Sequence, residues 1–151
     1  MCIRDRSDHN YVDAQALDLI RRPWEFDVLV MENMFADILS DLGGGLVGGM
    51  GIAPCAEIGL KHGLFQPAHG SAPDIMGKDL ANPTAMFLSA AMMLEWLGQK
   101  YQYESLLNAA RLLESKIEDG FRLKKTQPKE FGGPHGCSEH TRNLLEIIKD
   151  L

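Results

Sequence analysis

Cysteine is scarce in this sequence: Cys2, Cys55 and Cys137 are odd in number, far apart and without a CxxC pair. That excludes a disulfide framework and a cysteine-built zinc site, and makes a reducing cytoplasm the expected compartment. Positive charge is also short. Fifteen Lys and Arg face 21 Asp and Glu, the net charge is −6, and Lys124-Lys125 is the one adjacent lysine pair. A phosphate-binding surface needs clustered cations, so nucleic acid is not an expected partner. No apolar run reaches the roughly 20 residues that span a bilayer, so no membrane partner is expected either. Internal repeats and low-complexity linkers are absent. What is present, 45% hydrophobic and 24% charged residues in a chain of 151, suits a folded domain with a real core.

Residues 1–7 lack both a signal peptide's apolar core and a clear periodicity, and read as a non-native or disordered leader. From residue 8 the pattern is regular. Asp8 or Asn10 can cap a helix through Val12–Arg21, which Pro23 ends. Phe26-Asp-Val-Leu-Val-Met31 reads as a buried strand. A helix follows it and is expected to run into the glycines of 43–51, for close helix packing and then an irregular exit. A literal GxGxxG spans Gly43 to Gly48, but a helix rather than a strand precedes it, so it is not a dinucleotide fingerprint.

Further on, Ile52–Ile58 and Gly63–Pro67 read as short extended pieces. Asn82 is placed to cap, and Pro83 to open, a helix over Thr84–Leu97 that Gly98 closes. That helix is apolar nearly all round, with Met86, Met92 and Met93 as core filling. Glu104–Leu123 has the pattern of a surface helix, Gln127–Gly136 is a loop, and Ser138 is expected to cap a last helix. The fold class is α/β, with helices packed on a mixed sheet.

Chemistry concentrates in two places. Asp37 and Asp41, four apart on a helix, share one face and repel each other. Either the face is merely solvated, or the pair takes Mg²⁺ or Mn²⁺, which prefer oxygen ligands from one or two carboxylates with water or substrate completing the shell. The second place is the Ala68–Pro83 stretch. Loops of that length in a compact domain are usually functional, Gly70, Ser71 and Ala72 allow a ligand close to the backbone, and Asp74 can accept two ribose hydroxyls. His135 and His140 read as structural, and Cys55 as a buried thiol.

Three segments carry a resemblance: His9-Asn-Tyr-Val-Asp-Ala14, Asn33-Met-Phe-Ala-Asp-Ile-Leu-Ser-Asp41, and Phe65-Gln-Pro-Ala-His-Gly-Ser-Ala-Pro-Asp-Ile-Met-Gly-Lys78 continuing to Ala81-Asn-Pro83. In this order they resemble the decarboxylating β-hydroxyacid dehydrogenases, which include isopropylmalate, isocitrate and tartrate dehydrogenases. The resemblance runs from about His9 onward and implies the C-terminal part of an isopropylmalate dehydrogenase-like fold, incomplete as given, over residues 8–151. It implies that Asp37 and Asp41 bind Mg²⁺ or Mn²⁺ in one subunit while Asp13 comes from the other. A homodimer follows, with the helices bearing Asp13 and Asp37 in an intersubunit bundle.

The same resemblance places His69, Gly70, Ser71, Ala72, Asp74, Ile75 and Asn82 around the adenosine of NAD, with the acid at Asp74 favouring NAD over NADP. The implied reaction passes hydride from C2 of a 2-hydroxy acid to NAD⁺ and then releases the C3 carboxylate. The family's substrate-clamping arginines and catalytic Tyr and Lys fall upstream of residue 8, so no catalytic residue is expected in this chain. Departures are Ala36 where Gly is usual, Gln66 for a common Glu, and Cys137 for Thr. A non-catalytic regulatory relative, or an inactive fragment that binds nucleotide and divalent metal, is the alternative function.

Overall fold

A computed structural model describes residues 6–149, which form two compact units, the first ending at Leu46 and the second starting at Val47. Of the expected leader, residues 1–5 lie outside the described residues.

In the first unit, α1 spans Val12–Arg21 and α2 spans Asn33–Leu46, with a short 3-10 turn at Pro23–Glu25 between them. The limits of α1 follow from the expected signals, Arg21 in its last turn and Pro23 beyond it. Its capping differs from expectation: Tyr11 occupies the N-cap without a side-chain bond, and Asn10 instead donates to Gln15 Oε1 at 3.3 Å. Residues 27–31 form no strand, and Val28 and Val30 are 80% and 92% exposed. A strand exists only with a neighbour that satisfies its backbone groups, and among the described residues none lies beside this run.

The second helix runs into the glycines, as their position after it predicts, and Gly44 is buried. At Gly43 and Gly45, however, an added Cβ would meet nothing within 4 Å, so among the described residues close packing does not account for them. Just beyond, Gly48 and Gly49 adopt φ of 123° and 135°, conformations that side chains resist.

The second unit begins with a hairpin, β1 (Pro54–Ile58) antiparallel to β2 (Gly63–Pro67), with Pro54 opposite Pro67 and Ile58 opposite Gly63. The sheet among the described residues is therefore two-stranded and antiparallel, not mixed. Three helices follow: α3 (Thr84–Tyr101), α4 (Glu104–Arg122) and α5 (Cys137–Lys149). The first of these lies on the hairpin, α4 packs on α3, and α5 on α4.

The buried residues of α3 are Thr84, Ala85, Ser89, Ala91 and Gly98, all small, while Met86 and Met93 are 52% and 38% exposed. The expected methionine core is thus replaced by a small-residue stripe that lets neighbouring backbones approach. Gly98 does not close the helix. It sits inside α3 where a Cβ would come within 2.7 Å of Leu107 Cδ2, and Gln102, at φ 58°, ends the helix instead. Trp96 on α3 meets Phe65 on β2 with ring centroids 5.8 Å apart, and Lys100 Nζ sits 4.3 Å from its ring centre.

The expected cap at Ser138 is also redrawn. That residue lies within the first turn of α5, and its N–H and Oγ–H both donate to Asp79 Oδ1, at 2.8 and 2.9 Å. These bonds from Ser138 hold the Asp79 carboxyl below the ordinary carboxylate range. Burial, reinforced by Asp79, pushes the Cys137 thiol up, away from the thiolate a nucleophile needs.

Candidate functional site

A cleft of about 700 Å³ opens in the second unit, within the range of small-molecule sites. Of the residues singled out for cofactor binding, His69, Gly70, Ala72, Ile75 and Asn82 line it, whereas Ser71 and Asp74 do not. Both of those are exposed on the same loop. Met50, Gly51, Leu80, Ala81, Lys129 and Glu130 complete the lining. Apolar walls with a few fixed polar groups suit a flat heteroaromatic ring.

Local geometry gives the loop its turn. Ala72 takes φ 42° and Pro73–Ile75 closes as a 3-10 turn, with Ile75 N–H donating to Ala72 O at 3.1 Å. His69 Nδ1–H donates to Gly70 O at 2.8 Å, and Gly70 lines the same cleft.

Asn82 is the most constrained polar group of the lining. Its Oδ1 accepts from Thr84 N–H at 3.1 Å and from Thr84 Oγ–H at 2.6 Å, so it performs the capping expected of it, although α3 starts at Thr84 and Pro83 occupies the N-cap position. Its Nδ2 donates to Glu130 Oε2 at 2.8 Å. The other carboxylate oxygen, Oε1, accepts from Gly51 N–H at 3.2 Å, and Gly51 O accepts from Ala85 N–H at 2.9 Å.

Behind Asn82, the Thr84 hydroxyl lies 3.3 Å from His140 Nε2. Since that hydroxyl proton goes to Asn82, His140 donates through Nε2–H and keeps Nδ1 bare, in accord with Nδ1 having no partner. Burial, and secondarily His135, lowers the His140 pKa. The structural reading of both histidines fits: His135 Nδ1 accepts from Gln127 N–H at 2.8 Å. Glu130 was not foreseen. It stands in a stretch read only as loop, and nothing local signals partners so far away in sequence.

The candidate metal residues lie in the first unit. Asp13 is in the first turn of α1, Asp37 and Asp41 are one turn apart on α2, and all three are exposed. Among the described residues no basic side chain pairs with them, and no three His, Cys, Asp or Glu side chains of one chain gather closely enough to hold a metal. Two carboxylates without a counter-cation, all-oxygen in donor type, fit a hard divalent ion.

The fold is α/β, and its cleft is built by loops rather than by a glycine fingerprint. The family model for isocitrate/isopropylmalate dehydrogenase matches residues 6–141, and the chain belongs to that family. It is 49% identical over 145 residues to the 3-isopropylmalate/3-methylmalate dehydrogenase of Methanocaldococcus jannaschii, covering 96% of this chain and 41% of the relative. It is 45% identical over 140 residues to the isocitrate/homoisocitrate dehydrogenase of Thermus thermophilus, covering 93% and 40% respectively. The human mitochondrial NAD isocitrate dehydrogenase subunit alpha is 44% identical over 142 residues, 93% of this chain and 37% of the relative.

Among solved structures, isocitrate dehydrogenase from Methylococcus capsulatus superposes with a TM-score of 0.82 at 38% identity, over 91% of this chain and 39% of that one. The chain thus spans about two fifths of the relatives it matches. No helix among the described residues is long and apolar enough to cross a membrane.

Proposed function

We propose that this chain is the NAD- and metal-binding part of an NAD-dependent oxidative decarboxylase acting on a 2-hydroxy acid such as 3-isopropylmalate, tartrate or isocitrate. The observation that carries this reading is the cleft, walled by His69, Gly70, Ala72, Ile75 and Asn82 in a chain of this family. In it the loop backbone and Asn82 hold the adenine end of NAD, and the neighbouring Asp74 carboxylate accepts the ribose hydroxyls. Two anionic oxygens there disfavour a 2′-phosphate by like-charge repulsion.

Asp37 and Asp41 hold Mg²⁺ or Mn²⁺, with Asp13 supplied by a second copy. The ion, when bound, polarises the substrate hydroxyl and carboxylate. A homodimer is supported by the apolar side chains that α1 and α2 leave in solvent, Leu17 and Ile20 at 52% and 55% exposure and Met34 and Ile38 at 61% and 59%. Exposed large apolar side chains concentrated on two helices are what an interface would cover. Soluble, cytoplasmic operation accompanies the proposal.

The test is NADH formation by the whole protein with NAD⁺, Mn²⁺ and each of the three acids in turn. Asp37→Asn and Asp41→Asn are expected to abolish turnover while leaving the dimer folded by circular dichroism and sedimentation. Undiminished activity of either variant overturns the metal assignment. Nucleotide binding by the unaltered protein without turnover on any acid overturns the enzyme reading in favour of a regulatory relative.

A further inference from the structure

We propose that Glu130 is a positioning residue of the cleft: by accepting Asn82 Nδ2–H and Gly51 N–H on its two carboxylate oxygens, it fixes the wall against which the nucleotide's ring binds. This rests on the cleft being the nucleotide site.

Only an acceptor on both oxygens can serve these two donors at once. Gly51 has no side chain because one would collide here: its Cβ would fall 2.8 Å from Asn82 Cβ and closer still to the Glu130 carboxylate. The absence of that carbon lets the carboxylate reach between two backbone segments that both line the cleft. Asn82 has no freedom to compensate for loss of the acid. Its carbonyl is held by both the N–H and the hydroxyl of Thr84, and the Thr84 hydroxyl is in turn held by buried His140. An Asn82 flipped to satisfy a changed residue 130 would abandon both Thr84 bonds. The hydrogen-bond direction is therefore set along the whole line, from His140 through Thr84 and Asn82 to Glu130.

Glu130→Gln is the discriminating variant, because it preserves size but turns one acceptor into a donor. That donor faces either Asn82 Nδ2–H or Gly51 N–H, and one wall segment must give way. Because Glu130 is exposed at the cleft rim, the fold should survive.

NAD⁺ binding is measured by calorimetry, and KM for NAD⁺ and kcat at saturating NAD⁺ by steady-state assay, on the unaltered whole protein and on Glu130→Gln. The expected result is roughly a tenfold rise in both Kd and KM for NAD⁺ with kcat unchanged, about 1.4 kcal/mol of binding. Thr84→Val, which loosens Asn82 from its other side, should move Kd in the same direction. Equal NAD⁺ affinity in Glu130→Gln overturns the proposal and leaves the cleft assignment standing, as does a fall in kcat at unchanged KM. Failure of the unaltered protein to bind NAD⁺ overturns the cleft assignment and the positioning role with it.

Discussion

Single side chains decide more here than their local surroundings suggest. Asp74 lies on the Pro73–Ile75 turn between the cleft-lining Ala72 and Ile75, and in the proposed function replacing its carboxylate by an amine reverses the charge that meets the ribose. Asp74→Lys is expected to weaken NAD⁺ binding at least tenfold and to improve NADP⁺ binding, read as the ratio of kcat/KM for the two cofactors. An unchanged ratio would remove Asp74 from the ribose contact.

Asp79 makes a different kind of prediction. Bonds from Ser138 depress its pKa in the folded state, so the unfolded chain binds its proton more readily. Its stabilisation is complete above the ordinary carboxylate value of about 4 and fades as pH falls from there through its own lower value. Asp79→Asn keeps an acceptor for α5 but loses the charge. Its Tm should lie below the unaltered protein's at neutral pH, with the gap narrowing below about pH 4; a gap independent of pH would show another group to be responsible.

At this scale the sequence was legible where a residue acts on its near neighbours. Asn82 bonds Thr84, two positions away, and its capping role could be read from a cap residue followed by proline. Glu130 acts on residues 79 and 48 positions distant, and no local pattern reports that.

Among the elements, α1 was readable to the residue because stripe, basic terminus and proline all agree. Three other elements show why agreement is needed. The apolar run at 27–31 has strand composition, but a strand depends on a neighbour that no amount of local composition provides. The expected cap of α5 at Ser138 belongs to Asp79, a residue far upstream. Gly98 has two physical uses, helix stop and close contact, and the sequence alone favoured the wrong one.

The contact explanation of Gly98 can be tested. Ala is the better helix former by about 1 kcal/mol, yet its methyl would press on Leu107, with Cδ2 at 2.7 Å and Cγ at 2.8 Å. Overpacking costs about 1–3 kcal/mol. Gly98→Ala is therefore expected to destabilise the protein by about 1 kcal/mol net in urea unfolding, whereas a stabilised variant would mean that Leu107 moves aside at little cost.

On the scale of the whole chain, the α/β class and the order of the helices around two short extended pieces were legible, because hydrophobic period and turn residues set them; their pairing as a hairpin was not. The two-stranded, antiparallel form of the sheet among the described residues was not legible either, since strand pairing is a long-range choice. The division at Leu46 and Val47 was equally hidden, because the glycine run there reads as continuous with the helix before it. That division has a spectroscopic consequence. The two tryptophans of the sequence fall on opposite sides of it, Trp24 in the first unit and Trp96 in the second. Trp24 is 78% exposed and is expected to emit like a hydrated indole in the native state, while Trp96 sits against Phe65 beneath the Lys100 ammonium, surroundings that only the native structure provides. A Trp24→Phe variant would thus leave Trp96 as the one indole, and its emission should redden as the second unit melts.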